Sequence, residues 1–322
     1  MPTSDLFDRI RAAVAEVARR ARLVHIDRER LAVYAAELPP PATAPGLDPR
    51  WHWLDRGEET VAFFLTLDAV NFGSGWFPVL RKRPGLSGYF TVAASLTDAY
   101  RARGGPLAAR ELADIDAPAV AEIFGQDPDG SAAELMALFA HAWNDLGRLL
   151  RDAHGGRCGA LVEAADGSAA RLVDLLARMP FYRDVSAYGD LEVPFYKRAQ
   201  LTAADLAAAF GRRGPGRFHD LDRLTIFADN LVPHVLRLDG VLVYDRALAA
   251  RIDAQELIAA GSPEEVEIRA VAVHAVELLG QELARLRRPA TSMELDYLLW
   301  TRGQQAHYKQ AKPRHRARGV WY

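Results

Sequence analysis

The chain has 322 residues, 50% of them hydrophobic, so it can bury a large core in one large or two medium domains. Its 40 Lys and Arg residues nearly balance 42 Asp and Glu residues, and a net charge of −2 excludes a global field that would hold nucleic acid or an anionic membrane. Cys158 is the only cysteine, which excludes intramolecular disulfides and multi-cysteine zinc sites.

The first predicted element is an N-terminal helix, because Leu6, Ile10, Val14 and Val17 recur on one helical face. An Ala/Pro-rich linker over 39–45 follows it. No apolar stretch approaches the ~20 residues needed to span a bilayer. We therefore expect a protein that does not associate with membranes, and the single cysteine favours a reducing compartment, here the cytoplasm.

Strand signals are few. The stretch 60–67 is rich in Val, Phe and Thr, and 159–162 is a second, weaker candidate. Helical periods dominate the rest of the chain, so the predicted fold is mainly α with at most a small β element. We expect one domain over 1–322, with a possible subdivision near the loop at 125–130.

Several helix starts carry N-terminal capping patterns, in which a Ser or Thr precedes an acid by three residues. These patterns predict helix starts at four places: Ser131 with Glu134, Thr202 with Asp205, Ser262 with Pro263 and Glu265, and Thr291 with Glu294.

Asp229 stands four residues ahead of Pro233. A proline donates no hydrogen bond and pushes the preceding residue toward extended geometry, so a helix over 221–229 is predicted to break or kink here. The carboxylate then lies at a discontinuity, where side chains often face a ligand. The alternative is an ordinary helix end followed by a proline in the next helix.

The stretch 235–242 and the helical pattern over 247–258 resemble a degenerate helix-hairpin-helix motif, with Gly240 in its turn. Such hairpins occur in DNA glycosylases and in non-catalytic DNA-binding modules. A plain αα-corner is the alternative.

The last stretch, 301–322, contains basic residues and no acid. Such runs are often disordered tails. Because this one ends in Val320, Trp321 and Tyr322, we predict that it docks and brings His315 and several arginines onto the body of the protein.

Searches for phosphate-binding glycine loops, nucleophile elbows and zinc-hydrolase motifs find none in the sequence. His307 and His315 are eight residues apart without a third ligand nearby. We expect no metal and no cofactor.

Several separated strings, taken together, resemble the queuosine salvage protein family, in the order the family has them. They are Phe-Tyr-Arg-Asp-Val at 181–185, Phe-Tyr-Lys-Arg-Ala-Gln at 195–200, Phe-Ala-Asp at 227–229, Glu-Val-Glu-Ile-Arg at 265–269, Asp-Tyr-Leu-Leu-Trp at 296–300 and the terminal His-Arg-x-Arg-x-x-x-Tyr pattern from 315 to 322. The resemblance covers nearly the whole chain from residue 68 onward.

The resemblance implies an enzyme with a helical fold like that of DNA glycosylases, which hydrolyses queuosine 5'-phosphate to queuine and ribose 5-phosphate. Asp229 matches the family's nucleophile or transition-state stabiliser. That role suits its chemistry, because breaking an N-glycosidic bond develops positive charge on the ribose.

Other roles are also expectations from the resemblance. Asp296 is the candidate for binding the departing base, which is a 7-deazaguanine and offers no ring N7 to protonate. Its carboxylate would accept hydrogen bonds from the guanine-like N–H and amino groups, or from the cationic amine of the cyclopentenediol arm. The alternative for Asp296 is a helix-start acid. Lys197 is the candidate phosphate ligand, with Arg198, His234 or the basic tail as possible helpers. Further substrate-binding candidates are His52, Phe72, Phe227, Tyr297 and Trp300, with Trp76 as a second stacking face beside Phe72.

Two departures from the family pattern limit these assignments. Asn230, Leu231 and His234 stand where the family commonly has Tyr, Arg and Gln, and the loop after Asn71 also differs. Two rival classes remain: a helix-hairpin-helix nucleic-acid-binding or DNA-repair protein, and a glycosidase for another modified nucleotide. The near-neutral net charge argues against stable nucleic-acid binding, and the sequence does not determine the oligomeric state.

Overall fold

A computed structural model of the protein describes residues 5–40 and 47–322, which form fifteen α-helices and four short strands. The prediction of a mainly α fold with a small β element is confirmed. The helices are α1 Leu6–Arg20, α2 Arg28–Glu37, α3 Glu58–Ala69, α4 Gly88–Arg103, α5 Ala109–Asp114, α6 Ala117–Ile123, α7 Ala133–Ala153, α8 Cys158–Ala164, α9 Ala169–Leu176, α10 Lys197–Ala209, α11 Leu231–Leu238, α12 Arg246–Asp253, α13 Pro263–Arg285, α14 Ser292–Gly303 and α15 Ala306–Gln310. The strands are β1 Val24–Ile26, β2 Val185–Tyr188, β3 Leu191–Pro194 and β4 Leu242–Tyr244.

The strands form two antiparallel pairs. β1 pairs with β4, with Val24 opposite Tyr244, and β2 pairs with β3 through a tight turn. Both stretches predicted as strands are helical: 60–67 lies within α3 and 159–162 within α8. These predictions were wrong because α3 is buried from Thr60 to its end, so its apolar run carries no helical period.

The core is built around α13, whose 23 residues are mostly buried and pack against α1, α2 and α14. The predicted stripe of α1 is confirmed, since Leu6, Ile10, Val14 and Val17 are all buried. Most of the Ala/Pro-rich linker lies outside the described residues. Within the described ranges, no helix combines the length and apolarity needed to cross a bilayer.

The capping patterns had mixed outcomes. Ser262 accepts a hydrogen bond from the amide of Glu265, and Thr291 forms a reciprocal capping box with Glu294, as predicted. Thr202 instead lies inside α10, where its hydroxyl donates to the carbonyl of Arg198 at 2.9 Å. Ser131 also caps no helix, because α7 begins at Ala133 and the Ser131 hydroxyl donates to the carbonyl of Val79.

The segment around Asp229 differs from the prediction. No helix covers 221–229; a 3₁₀ turn at Leu221–Arg223 leads into an irregular stretch that ends at α11. Pro233 lies in the first turn of α11, where a missing N–H breaks no helical hydrogen bond. The predicted discontinuity at Asp229 is real, but it is a helix start.

Helices α11 and α12 are both present in the predicted hairpin region, and β4 lies between them. Helix α12 ends at Asp253 rather than at 258. Gly303, at the end of α14, allows a close approach to α11, because a Cβ at this position would lie 2.6 Å from a methyl carbon of Leu231.

The C-terminal segment docks, as predicted. Tyr322 is buried, and its carbonyl accepts a hydrogen bond from the amide of Gly73 at 3.0 Å. A Cβ at Gly75 would lie 2.3 Å from the carbonyl oxygen of Ala317, so the tail passes directly over a glycine of the loop after α3. This contact brings the tail against the loop that leads from α3 to α4.

Candidate active site

One cavity of about 730 Å³ lies where α10, α14, the C-terminal tail and the loop after α3 meet. Its volume suits a drug-sized or nucleotide-sized molecule. All eight residues predicted for the site line it: His52, Phe72, Lys197, Phe227, Asp229, Asp296, Tyr297 and Trp300. Residues that are far apart in the sequence thus line one cavity.

Asp229 is held at the N-terminus of α11. Its Oδ1 accepts the backbone N–H of Leu231 at 2.8 Å and that of Val232 at 3.1 Å. Such bonds satisfy two of the amides that a helix start leaves unpaired. In the described part of the chain, no group donates a hydrogen bond to the other oxygen, Oδ2, and the side chain is only partly buried. One carboxylate oxygen is therefore fixed by the helix start, the other is without such a donor among the described residues, and the residue lines the cavity.

A buried ion pair supports the segment ahead of Asp229. Arg269 donates to both carboxylate oxygens of Asp184, at 3.0 and 2.6 Å, and its Nε donates to the carbonyl of Ala228 at 3.0 Å. Burial alone would lower the pKa of Arg269, but the charges of Asp184 and Glu265 outweigh it and raise the pKa. Asp184 also accepts the amide N–H of Lys197 at 3.0 Å. One pair thus anchors the residue before Asp229 and the first residue of α10.

Lys197 is almost fully buried in the cavity wall. Its ammonium donates to the carbonyl of Asn71 at 3.3 Å. Burial lowers the pKa of Lys197, and the charge of Asp229 opposes that shift most strongly. Asp68 and Asp296 act in the same direction as Asp229. The ammonium therefore sits among carboxyl groups.

Asp296 lies on α14 and is fully enclosed. Its Oδ1 accepts the backbone N–H of Phe227 at 2.9 Å. Burial raises the pKa of Asp296 well above its usual range, and the charge of Asp229 raises it further. The two carboxyl groups therefore differ in environment, since Asp229 has amide donors at a helix start and Asp296 favours its protonated form.

Aromatic side chains form the walls. Phe227 lies in the irregular stretch before α11, not on a helix, and packs against Tyr297 with 6.1 Å between ring centroids. Trp300 contacts the rings of Tyr89 and Phe90 edge-on. Phe72 is also packed edge-on against core rings, so only part of it faces the cavity.

His52 is buried at the cavity wall. Its Nδ1 lies 3.1 Å from the amide nitrogen of Asp48, and its Nε2 lies 3.2 Å from the hydroxyl of Tyr89. Burial lowers the pKa of His52. The imidazole ring is thus held in place near Tyr89, and its burial favours the neutral form.

Three proposed helpers lie away from the cavity. The indole N–H of Trp76 donates to Glu134 at 2.7 Å. Arg198 is buried and donates to backbone carbonyls, including those of Ala69 and Val320. His234 is buried, with Nε2 2.8 Å from the carbonyl oxygen of Tyr308. None of the three lines the cavity.

The structure adds cavity residues that the sequence did not single out. Asp205 lines the wall from α10, and Lys82 and Arg314 line it with exposed side chains. Asn230 lines it too, and its amide donates to Ser74 and to the carbonyl of His315. The sequence predicted a capping role for Asp205, which the structure does not show. It also predicted that the docked tail brings arginines onto the body of the protein, and Arg314 is one of them.

In the described residues, no three His, Cys, Asp or Glu side chains come together as metal ligands. The fold and the site therefore define a helical protein with a nucleotide-sized cavity that presents a fixed carboxylate.

Comparison with known proteins gives the family. The model of the queuosine salvage protein family matches residues 51–322. A Queuosine 5'-phosphate N-glycosylase/hydrolase of Sphaerobacter thermophilus is 37% identical over 315 residues, which cover 95% of each chain. A protein of the same name from Mus musculus is 30% identical over 330 residues, covering 95% of this chain and 96% of the mouse protein. The chain belongs to the queuosine salvage protein family, and the nucleic-acid-binding alternative is not favoured.

Proposed function

We propose that this protein hydrolyses the N-glycosidic bond of queuosine 5'-phosphate and releases queuine for salvage into tRNA modification. The names of its relatives support this substrate. The observation that carries the proposal is the placement of Asp229, which lines the cavity with one oxygen held by the start of α11. In the reaction, the bond between C1' and the base breaks with its electron pair on the base. A water oxygen then bonds to C1', and one water proton ends on the base.

Asp229 is the proposed catalytic residue. Positive charge develops on the ribose as the base departs, and a carboxylate below C1' stabilises it. Because Oδ1 is held by two backbone amides, the side chain does not have to be ordered when the substrate binds.

Asp296 is the proposed partner of the leaving base. Since its environment favours the protonated form, it donates a hydrogen bond to a polar edge of the base as negative charge gathers there. This refines the expectation from sequence, in which Asp296 only accepted hydrogen bonds. A protonated acid compensates for the ring N7 that a 7-deazaguanine lacks.

Phosphate binding has two candidate sets. Lys197 is the ligand expected from sequence, and its ammonium lies close to Asp229. Lys82 and Arg314 line the same cavity, and no hydrogen bond or ion pair engages either side chain within the described residues. Burial lowers the pKa of Lys82, and the charge of Arg314 lowers it further. A phosphate with nearly two negative charges would relieve the repulsion between these cations, so we propose that Lys82 and Arg314 assist Lys197.

The base is proposed to lie between aromatic faces of Phe227, Tyr297 and Trp300, with Phe72 completing the wall. Each stacked face contributes ~1 to 3 kcal/mol in comparable sites. His52 is proposed to contact the base or its diol arm, because its ring is fixed at the same wall.

We propose a single catalytic domain over 1–322, since cavity residues come from both sides of the loop at 125–130. We also propose a cytoplasmic protein that needs no cofactor, binds no nucleic acid stably and resembles helix-hairpin-helix glycosylases in fold.

A chromatographic assay tests the function. Incubation with queuosine 5'-phosphate is expected to release free queuine, and Asp229→Ala is expected to abolish release while the chain stays folded. The nucleoside queuosine is tested alongside to measure what the phosphate contributes. No release of queuine from either compound by the unaltered protein would overturn the proposal.

A further inference from the structure

Two buried carboxyl groups meet beside the cavity, away from the start of α11. Asp205, on α10, lines the cavity and is 5% exposed; Asp68, on α3, is 0% exposed. Burial raises the pKa of both groups, and the charge of Asp68 raises that of Asp205 further. The two carboxyls are close enough to share one proton, as paired carboxyls do when both cannot be ionised.

Neither acid is paired with a cation in the described part of the chain. Asp68 is approached by the neutral side chains of Thr202 and Asn71, whose hydrogen bonds lower its pKa, and Asp205 is approached by the carboxyl of Asp68. By contrast, Asp184 receives two bonds from Arg269 and one from the amide of Lys197. Buried charges are costly unless paired in this way.

A second, independent feature of the same wall is an unpartnered hydroxyl. Tyr297 lines the cavity and is 5% exposed, yet its Oη has no hydrogen-bond partner among the described residues. Burial and the charge of Asp205 raise the pKa of Tyr297, and both side chains line the cavity. Tyr89 also lines the cavity, and burial and the charge of Asp205 raise its pKa as well.

Lys197 serves several carboxyl groups at this wall. Its charge lowers the pKa of both Asp205 and Asp68, and its own pKa responds to Asp229 as well. Other cations that line the cavity, such as Lys82 and Arg314, are not among the main charges that act on Asp205. A cationic group of a ligand beside Asp205 would therefore meet more carboxyl groups than cations.

We propose that Asp205, backed by Asp68, binds the cationic amine of the base's cyclopentenediol arm, while the hydroxyl of Tyr297 bonds to a polar group of the same arm. This assignment rests on the proposed function. A buried carboxylate and aromatic rings together bind an ammonium well, because the anion replaces its lost hydration and the ring faces attract it. Asp205 thus acts as a specificity-determining residue that selects the cationic base over a plain 7-deazaguanine.

The test compares two nucleotides, queuosine 5'-phosphate and 7-deazaguanosine 5'-phosphate, which share the ring and the bond to be broken but differ in the arm. The wild-type protein, Asp205→Asn and Tyr297→Phe are assayed for kcat and KM. Asp174→Asn is the control, because Asp174 is an exposed acid outside the cavity. Thermal unfolding verifies that each variant folds.

We expect the wild type to prefer the nucleotide with the arm. Asp205→Asn should lose at least tenfold in kcat/KM on that nucleotide, mainly through KM, and change less than about twofold on the armless one. Tyr297→Phe should shift kcat/KM in the same direction, and it provides the test if Asp205→Asn does not fold. Equal losses on both nucleotides, or no loss on either, would overturn the assignment.

Direct binding separates this inference from the proposed function. Calorimetric titration with free queuine and with 7-deazaguanine needs no turnover. If the wild type binds queuine more tightly and Asp205→Asn removes that preference, arm recognition stands even where no hydrolysis occurs, and only the proposed function fails. If the wild type hydrolyses queuosine 5'-phosphate but binds both bases equally, the function stands and arm recognition fails. Equal binding without hydrolysis overturns both.

Discussion

Arg269 donates through two nitrogens to the carboxylate of Asp184, at 3.0 and 2.6 Å. Both side chains are buried, with 0% and 3% of their surfaces exposed. The same guanidinium holds the carbonyl of Ala228, one residue before Asp229. The segment that leads to Asp229 is therefore held by a buried pair that lies outside the cavity.

Removing one partner of this pair should destabilise the fold. Arg269→Met leaves Asp184 buried without its counter-charge, which costs about 3 to 5 kcal/mol of unfolding free energy in comparable buried pairs. Denaturant unfolding measures the loss. The double variant Arg269→Met with Asp184→Asn should recover part of it, because Asn keeps an acceptor for the Lys197 amide. Arg19→Met, which breaks an exposed pair with Glu16, serves as the control and should leave stability unchanged. A fully stable Arg269→Met would contradict this role.

Phosphate recognition can be assigned by comparing Lys197→Met with Arg314→Met. A lost phosphate ligand lowers kcat/KM for queuosine 5'-phosphate but not for queuosine, so the nucleotide preference should fall at least tenfold in Arg314→Met. If Lys197 is also a phosphate ligand, its variant shows the same selective loss. An equal loss on both substrates would instead mean that Lys197 acts through the carboxyl groups around it.

The pH dependence of kcat follows from Asp296. Burial and the charge of Asp229 raise its pKa, so its protonated form persists at higher pH than that of an ordinary aspartic acid. As pH rises through the raised pKa, the donor is lost and kcat should fall. Asp296→Asn should be slower and lack this alkaline fall. Burial lowers the pKa of Lys197, so its ammonium also loses a proton more readily as pH rises. The pH dependence of kcat is therefore measured for Lys197→Met as well. A wild-type kcat that rises steadily with pH would exclude Asp296 as the donor.

Stability toward acid should depend on His315. Burial, together with the charge of Arg269, lowers its pKa to about 3. The unfolded chain binds a proton at this residue near pH 6.5, whereas the folded chain does not, so stability is full above that pH and falls as pH drops toward 3. His315→Gln should reduce the slope between pH 5 and pH 4 by about 1.4 kcal/mol per pH unit. Urea unfolding at both pH values measures it, and an unchanged slope would contradict the assignment.

Local signals predicted the helix starts at Ser262 and Thr291, because a capping bond involves residues only three apart. They failed for α3, whose burial comes from tertiary packing on all sides. Asp205 was misassigned for a related reason. Helix α10 begins earlier, at Lys197, where the distant Asp184 accepts the first amide, and no local pattern around Thr202 records that contact.

The eight predicted site residues all line one cavity, and six of them lie in the family strings, which carry long-range information that periodicity lacks. Lys82 and the contact between Asp68 and Asp205 were not predicted, whereas the basic tail that contains Arg314 had been expected to help bind phosphate. They depend on how the tail docks over Gly75 and on how α3 packs against α10, which are products of the whole fold.

The most direct test of the account is release of queuine in a single turnover by Asp229→Asn. Asn keeps a side-chain oxygen for the amides of Leu231 and Val232, so the helix start is preserved while the charge is lost. Asp245→Asn, which alters the cap of α12 outside the cavity, is the matched control. The account predicts an unchanged unfolding midpoint for Asp229→Asn and release at least about 100-fold slower, equivalent to ~3 kcal/mol in the barrier. Release at the wild-type rate from this folded variant would contradict it.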